Sequence, residues 1–466
     1  MKKKTEFEKA FTFPFELHGY QGESSEELQG RECSLLKYKV GLGKTAVSTH
    51  TALNLSLTGG VEQIIILCPP ILIDQWEEWL LSIGGIPDVL VYRGDPRERA
   101  LMDLDTAVVI CSYNIFRGTK KLTADHKRFL KLSKTRKLCI IADELSLKDL
   151  KSQTYRKLKM MVYGKMRVKE GDKPLHNLIA LNATPLSDLG HIYNWCAMMA
   201  PGVYPSLRLF EFAHVEKTDH WGAVLEWKNI ESMNNNFNII SVDTDEEVEL
   251  PPLIESVVPY TLTKQHLKLY KKVEASMLED LPADMIDLAV RSMFSTLQRL
   301  VLLPREFGLD IDSPVLEFIN GYLDQMDPED GIVFYTRHVL VSQMLAESIP
   351  DSVAVYGKIS KVKQQDALAQ IKSGECKRLI GNMDSIGVGK NHQILNHQID
   401  VELPFRWDKD TQVTGRIHRQ GQTKTCFASY PLAKGTIQHQ IYHKLLKNKE
   451  DLSQIKSKSQ MAEFLA

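Results

Sequence analysis

The first candidate for chemistry is a glycine-rich turn that follows a short apolar run near the start of the chain. The sequence there is Leu35-Leu36-Lys37-Tyr38-Lys39-Val40-Gly41-Leu42-Gly43-Lys44-Thr45. Such a turn presents backbone N–H groups and a helix N-terminus to phosphate. At this spacing Lys44 would reach the β- and γ-phosphates of a nucleotide, and the Thr45 hydroxyl would bind Mg²⁺. Tyr38 stands where the strict phosphate-loop pattern has its first glycine, so a chance glycine turn is the alternative.

The second candidate is a pair of carboxylates at the end of another apolar run, Leu138-Cys139-Ile140-Ile141-Ala142-Asp143-Glu144. At the C-terminal edge of a parallel strand, Asp143 can coordinate Mg²⁺ while Glu144 orients and deprotonates an attacking water. Alone, such a pair is commonly a solvated entry to a loop. Because this pair follows the glycine-rich turn in the order that a nucleotide hydrolase requires, we predict a hydrolytic site.

The third candidate is the segment Gln412-Val413-Thr414-Gly415-Arg416-Ile417-His418-Arg419-Gln420-Gly421-Gln422, late in the chain. Arg416 and Arg419 are three residues apart, which predicts that they share one face of a helix and point together at a polyanion. An ordinary pair of surface arginines is the alternative.

Two α/β lobes are predicted from the elements that must position these residues. Short apolar runs rich in β-branched residues alternate with longer mixed segments, which is typical of βαβ units and a buried parallel sheet. The first series of predicted strands is Cys33–Tyr38, Gln63–Pro69, Val89–Tyr92, Ala107–Ser112, Leu138–Ala142 and Asn177–Ala183. The second series is Gly331–Tyr335, Ser352–Tyr356, Arg378–Gly381, His397–Leu403 and Cys426–Tyr430.

The composition changes between the two series. Asn234-Asn235-Asn236 leads into an acidic stretch and then into Pro251-Pro252, so we place the boundary between the lobes near residues 235–255. The segment Leu262–Leu303 has helical spacing and ends at the breaker Pro304, which predicts a helical brace on the second lobe.

The composition of the whole chain excludes several classes of protein. With 466 residues, 58 Lys+Arg and 59 Asp+Glu, the net charge is -1, so a nucleic-acid surface must be a local patch. No apolar stretch approaches the roughly 20 residues that cross a bilayer, and the basic start lacks the apolar region of a secretion signal. The 7 cysteines are scattered without a C-x-x-C pair, which indicates reduced intracellular residues rather than disulfides or a zinc site.

Two tryptophans three residues apart, Trp76 and Trp79, are a further feature of the first half. Stacking on nucleic-acid bases is one role for such residues. We expect packing in the core instead.

Together the three candidate segments resemble the Swi/Snf-like branch of superfamily 2 helicases and translocases. The resemblance extends over most of the chain, and its motifs occur in the order of the family. The matching segments of the first half are Leu17–Gln21 (the glutamine motif), Gly41–Thr45 (motif I), Cys68–Pro70 with Gln75-Trp76 (Ia), Cys111–Tyr113 (Ib), Asp143-Glu144 (II) and Leu181–Leu186 (III). Those of the second half are Leu250–Pro252, Leu269–Lys272, Gly331–Tyr335 (IV), Asp384–Asn391 (V), Gln412–Gln422 (VI) and Gly435–Gln438 with Ile441-Tyr442.

The resemblance implies an α/β fold of two RecA-like parallel-sheet lobes with an ATP cleft between them. The first lobe, the ATP-binding domain, would comprise residues 1–235. Residues 236–255 would be a linker, and residues 256–466 would form the helicase C-terminal domain with its brace at about 262–303.

The resemblance also implies roles for individual residues. Gln21 would read adenine, and Gly387 and Gln412 would be further nucleotide contacts. Arg416 and Arg419 would be catalytic, stabilising the charge on the γ-phosphoryl group. The cofactors implied are ATP and Mg²⁺, with Thr45 and Asp143 as metal ligands and Lys44, Asp143 and Glu144 as catalytic residues of the first lobe.

Two departures from the pattern concern the same site. Lys37-Tyr38-Lys39 stands where relatives usually carry Ala-Asp-Glu, and Leu145-Ser146 stands where motif II usually continues to histidine or glutamine. The first bears on the nucleotide pocket. The second bears on the relay between ATP hydrolysis and DNA movement.

The function that the resemblance implies is an ATP-dependent helicase or translocase. Its partner would be DNA, single-stranded, duplex or branched, contacted through the backbone, and forked or branched DNA in replication, recombination or repair would be its setting. Replication or recombination proteins would be further partners, in the cytoplasm of a bacterial or phage-infected cell and away from membranes. The alternatives are a degenerate scaffold that binds nucleic acid without productive turnover, and an RNA-directed ATPase.

Overall fold

The structure is a computed structural model that describes residues 10–118, 123–219, 224–246, 249–279, 286–386, 392–404 and 407–453. These residues divide into two compact units, which lie within residues 1–247 together with 451–466 and within residues 248–450. Across the described ranges, no helix is both long enough and apolar enough to cross a bilayer.

The first unit contains a large parallel sheet and a small hairpin. Its strands are β1 (Cys33–Leu36), β2 (Gln63–Cys68), β3 (Val89–Tyr92), β4 (Val108–Ser112), β5 (Leu138–Asp143), β6 (Asn177–Leu181), β7 (Val215–Thr218), β8 (Val224–Trp227) and β9 (Ser241–Val242). Its helices are α1 (Gly19–Gln29), α2 (Lys44–Leu57), α3 (Ile73–Leu81), α4 (Pro96–Leu101), α5 (Tyr113–Arg117), α6 (Ala124–Ser133), α7 (Gln153–Tyr163), α8 (His191–Met199), α9 (Leu207–His214) and α10 (Ile230–Ile240).

The sheet of the first unit has the strand order β3-β4-β2-β5-β6-β1-β9, and every pairing in it is parallel. Strands β1, β2, β4, β5 and β6 are buried along their whole length, which explains their nearly continuous apolar sequences. Because parallel strands all end at the same edge, the segments after β1, β2, β4, β5 and β6 lie along one edge of the sheet. That edge holds motifs I, Ia, Ib, II and III.

The second unit is built around another parallel sheet. Its strands are β10 (Leu253–Tyr260), β11 (Ile332–Thr336), β12 (Val353–Val355), β13 (Arg378–Asn382), β14 (His397–Asp400) and β15 (Cys426–Ala433). The following helices begin in it: α11 (Lys264–Glu279), α12 (Ile286–Leu302), α13 (Val315–Gln325), α14 (Val339–Ser348), α15 (Lys361–Ser373), α16 (Met383–Ile386), α17 (Trp407–Thr414) and α18 (Ile437–Ser453).

The strand order of the second sheet is β10-β15-β14-β11-β13-β12, again with parallel pairings throughout. Helices α11 and α12 occupy the segment predicted to be a helical brace, and Tyr270 and Leu297 from them join the core of this unit. The predicted α/β fold with two parallel-sheet lobes is therefore confirmed.

Every strand predicted from an apolar run is present, with its ends shifted by no more than three residues. The structure adds strand β9, which lies inside the stretch that we assigned to a linker at 236–255, and strand β10, which begins in that stretch and continues to Tyr260. Residues 236–240 belong to α10, which buries Met233, Phe237 and Ile240 despite the run of asparagines. The chain between the two sheets is therefore shorter than composition predicted, since residues 243–252 separate β9 from β10.

Candidate nucleotide-binding site

The glycine-rich turn connects β1 to α2. Gly43 is the N-cap of α2 and has a φ of 84°, and Gly41 has a φ of 94°, a region that favours glycine. A Cβ atom on Gly43 would also lie 2.4 Å from the side-chain nitrogen of Gln21. Both glycines therefore allow the backbone conformation that leads from the turn into α2.

Lys44 is the first residue of α2, and its side chain folds back over the turn. Its Nζ donates to the carbonyl oxygens of Tyr38 at 3.0 Å and Lys39 at 3.3 Å. The positive charge of Lys44 also lowers the pKa of Asp143, so the ammonium lies near the second candidate segment. The structure thus brings Lys44 and Asp143 together, as the sequence predicted for a phosphate and metal site.

Asp143 is the last residue of β5, where only 9% of its surface is exposed. Burial, followed by the adjacent charge of Glu144, raises the pKa of Asp143 to about 6. The Trp76 indole N–H donates to Asp143 Oδ2 at 2.9 Å and opposes that rise. Glu144 has a φ of 52°, which is strained for a residue with a side chain and is common at functional sites.

Gln21 lies in the first turn of α1 and is 4% exposed. Its Nε2 donates to the Leu42 carbonyl oxygen at 3.1 Å, and its Oε1 accepts from the His18 backbone N–H at 3.0 Å. The side chain that we expected to read adenine is therefore joined directly to the glycine-rich turn.

The unusual residues Lys37 and Tyr38, which precede the glycine-rich turn, make contacts that hold it in place. Lys37 Nζ lies 3.2 Å from Asp243 Oδ2 and 5.3 Å from the centre of the Phe237 ring. Tyr38 is fully buried, and its hydroxyl donates to the Tyr20 carbonyl oxygen at 3.2 Å. Lys37 thus connects the start of the turn to the residue that follows β9, an edge strand of the first sheet.

Leu145-Ser146 stands where motif II of relatives usually continues to histidine or glutamine, and Leu145 still accepts a hydrogen bond that joins motif II to motif III. Leu145 is 1% exposed, and its carbonyl oxygen accepts from Asn182 Nδ2 at 2.7 Å. Asn182 Oδ1 in turn accepts from the Thr184 backbone N–H at 2.8 Å. Sequence reasoning gave Asn182 no role, although its place inside the Leu181–Leu186 match was a signal for it.

Gln412, Arg416 and Arg419 lie in the second unit. Placing both arginines on one helix was wrong, because α17 ends at Thr414 and both residues lie in the turns that follow Gly415. Glycine is a poor helix former, which accounts for the end of the helix at this point. Gln412 lies on α17 itself.

The two arginines are nevertheless neighbours. Arg416 is 8% exposed. Burial, followed by the charge of Arg416, lowers the pKa of Arg419 to about 10. Arg416 and Arg419 are therefore both at least partly buried in the second unit. The remaining predicted nucleotide contact, Gly387, lies outside the described residues.

The donors at the edge of the first sheet fit a magnesium–nucleotide complex. Mg²⁺ takes hard oxygen ligands, and the edge offers the Thr45 hydroxyl and the Asp143 carboxylate close to the ammonium of Lys44. A buried carboxylate with a raised pKa is stabilised in its ionised form by a cation. The N-terminus of α2 adds backbone N–H groups that suit a phosphate.

This arrangement defines a class of protein. Two parallel-sheet units, the first with a phosphate turn and paired carboxylates and the second with paired arginines, are the parts of a helicase-type, ATP-dependent enzyme. The chain belongs to the SNF2-related family: residues 25–303 match the SNF2-related domain, and residues 314–421 match the helicase conserved C-terminal domain. The resemblance that the motifs indicated is therefore confirmed.

Several named proteins are similar to the chain over most of its length. An uncharacterized ATP-dependent helicase of Bacillus subtilis, YqhH, is 22% identical over 447 residues, which are 89% of this chain and 74% of that protein. The chromodomain-helicase-DNA-binding protein 1-like of Danio rerio is 23% identical, over 92% of this chain but 42% of its own length. The chain thus spans three quarters of the first relative and about two fifths of the second.

Among solved structures, the Sulfolobus solfataricus SWI2/SNF2 ATPase core in complex with dsDNA is similar at 18% identity. The match covers 93% of this chain and 91% of that one, with a TM-score of 0.42.

Proposed function

We propose that the protein is an ATP-driven motor that moves along DNA. The observation that carries the proposal is that the glycine-rich turn after β1 and the carboxylate at the end of β5 lie at one edge of a parallel sheet, in a chain of the SNF2-related family. ATP would be the fuel and Mg²⁺ the metal.

In this proposal the first unit binds the nucleotide. Gly41, Leu42 and Gly43 supply backbone groups to the phosphates, and Lys44 neutralises the charge on the β- and γ-phosphates. Gln21 reads the adenine ring. Its present bond to the Leu42 carbonyl connects base recognition to the conformation of the turn.

Hydrolysis uses the carboxylates at the end of β5. Thr45 and Asp143 hold Mg²⁺, which when bound offsets negative charge on the transferring phosphoryl group. Glu144 orients the attacking water and accepts its proton. The strained backbone of Glu144 supports a functional role for this residue.

The second unit completes the chemistry. We propose that Arg416 and Arg419 stabilise the charge that develops on the γ-phosphoryl group, while Gln412 and Gly387 contact the nucleotide. The proposed domains are residues 1–235 and 256–466, with 236–255 between them.

The polymer on which the motor acts is DNA, which we propose is forked or branched in replication, recombination or repair. The name of the Danio rerio relative, chromodomain-helicase-DNA-binding protein 1-like, supports DNA as the polymer. Contacts would go to the backbone, so sequence preference should be weak. Bacterial relatives support an intracellular setting. Replication or recombination proteins would be its partners there.

The test is an ATPase assay with no polymer, single-stranded DNA, duplex DNA, a three-way junction or RNA. We expect DNA to stimulate turnover, Lys44→Ala to abolish it, and Glu144→Gln to abolish it while ATP binding is retained. Stimulation by RNA alone would contradict the choice of polymer. Near-normal stimulated hydrolysis by either variant would refute the assigned site.

The arginines are tested separately. Arg416→Ala and Arg419→Ala should lower the rate by up to about 10³–10⁵-fold, the range of arginine fingers, with little loss of ATP affinity. Arg305→Ala, which changes an exposed arginine of the same unit, is the matched control and should leave turnover unchanged. Equal losses of affinity and rate would assign Arg416 and Arg419 to binding rather than to catalysis.

A further inference from the structure

Helix α3 carries two tryptophans whose indole N–H groups donate to different elements of the first unit, Trp76 to the end of β5 and Trp79 to α2. Trp76 is 2% exposed and donates from Nε1 to Asp143 Oδ2 at 2.9 Å. Trp79 is half-buried and donates from Nε1 to Thr49 Oγ1 at 3.1 Å. We expected both to be packing residues, and the structure adds a hydrogen bond to each.

The bond from Trp76 restricts the Asp143 carboxylate. The carboxylate is at the end of a strand, where rotation about its terminal bond would otherwise be broad. A buried indole N–H needs an acceptor, and a carboxylate is a stronger acceptor than a neutral oxygen. Bonds of this kind orient metal-ligating carboxylates in proteins generally.

A second aromatic group faces the same carboxylates. Tyr113 begins α5, directly after β4, and its hydroxyl oxygen is buried without a hydrogen-bond partner in the described part of the chain. Burial raises the pKa of Tyr113 well above its ordinary value, and the negative charge of Asp143 adds to that rise. The Asp143 carboxylate is therefore buried and bonded to Trp76 rather than exposed to bulk solvent.

We propose that Trp76 is a positioning residue for Asp143, holding one carboxylate oxygen so that the other is presented to the magnesium ion of the bound nucleotide. The inference rests on the proposed function, because it assigns Asp143 to the metal. Trp76 acts through Asp143 and touches neither nucleotide nor water in this role.

The test compares Trp76→Phe, which keeps an aromatic ring and deletes the donor, with the unmodified protein. ADP binding is measured by calorimetry with excess Mg²⁺ and with EDTA, and the ratio of the two affinities gives the Mg²⁺ enhancement. In Trp76→Phe the enhancement should fall about 10–100-fold, the usual cost of losing a bond to a metal ligand, while ADP affinity in EDTA stays unchanged.

Trp79→Phe is the matched control, because it deletes the same N–H from the same helix but from a bond to Thr49. It should retain the Mg²⁺ enhancement. Trp76→His is the second variant, since its ring N–H can replace the donor, and it should recover most of the enhancement. It also keeps the test usable should Trp76→Phe fail to fold.

The outcomes separate the inference from the function on which it rests. An unchanged Mg²⁺ enhancement in Trp76→Phe would overturn the positioning role, and an equal loss in Trp76→His would assign the effect to packing and overturn it as well. Absence of Mg²⁺-dependent ADP binding in the unmodified protein would instead refute the proposed nucleotide site.

Discussion

A buried pair of carboxyl groups in the second unit leads to a prediction about stability. Asp400 ends β14 and Asp410 lies on α17, and they are 1% and 2% exposed. One oxygen of each has a partner: Gln398 Nε2 donates to Asp400 at 2.9 Å, and the Tyr430 hydroxyl donates to Asp410 at 3.2 Å. Within the described ranges, the other oxygen of each carboxyl has none.

The two groups cannot both ionise without cost. Burial first, and then nearby negative charge, raises the pKa of Asp400 well above its ordinary value and that of Asp410 from 3.8 to about 7. A proton on one carboxyl lets it donate to the other, so the folded pair keeps a proton that the unfolded chain loses. The contribution of this pair to the free energy of unfolding should therefore be largest below about pH 4 and should be lost as the pH rises toward 7.

The Asn side chain in Asp410→Asn has nearly the same shape as Asp, and its NH₂ group can donate to Asp400 without a bound proton. Each pKa unit corresponds to about 1.4 kcal/mol, so the rise of Asp410 sets an upper gain of about 4 kcal/mol above pH 7. We expect the second unit to gain about 1–4 kcal/mol at pH 8 and almost nothing at pH 4. Asp324→Asn, an exposed aspartate on α13, should change neither value.

The measurement must report on the second unit alone, because a chain of two units need not unfold in one step. The protein is equilibrated with denaturant at pH 4, 6 and 8 and then pulse-labelled with deuterium at one pH. Mass spectrometry follows the peptides of β14 and β15. Equal unfolding midpoints of the unmodified protein at all three values, or a loss of stability in Asp410→Asn at pH 8, would refute the shared proton.

Two other predictions concern the first unit and the polymer. Lys37→Met should remove the ion pair to Asp243 and lower the free energy of unfolding of the first unit by about 1 kcal/mol. Hydrogen exchange should become faster at residues 237–246 and stay unchanged in β2. Uniformly faster exchange over the whole unit would contradict this local role. The logarithm of the DNA-binding constant should fall against the logarithm of the salt concentration with a slope of roughly -0.9 per phosphate neutralised. Unrelated duplexes should bind with similar affinity. A flat salt response together with a strong preference for one sequence would refute backbone contacts.

The sheets and the positions of the candidate site residues at the ends of β1 and β5 could be predicted because buried parallel strands have nearly continuous apolar sequences. The run Leu138–Ala142 marks β5, and the carboxylates that follow it fall at the sheet edge as expected. Strand β10 could not be found in this way. It lies at an edge of its sheet and alternates between covered and exposed residues, so it lacks the apolar run and directly follows two prolines.

Side-chain contacts between residues far apart in sequence could not be predicted from sequence patterns. Motif spacing located Trp76 and Asp143 separately, but they are 67 residues apart and meet only because β2 and β5 are adjacent in the sheet. The pairing of Lys37 with Asp243 depends likewise on where the chain returns in space. Local periodicity contains no information about such contacts.

The position of β1 in its sheet has a consequence for synthesis of the chain on the ribosome. Strand β1 precedes the glycine-rich turn, yet its two neighbours are β6, which begins at Asn177, and β9, at Ser241. At about 5–20 residues per second, roughly 7–28 s pass between translation of β1 and of the first residue of β6. We therefore expect the nascent chain to acquire nucleotide binding late, with β1 as an unpaired apolar segment that chaperones can bind in the interval.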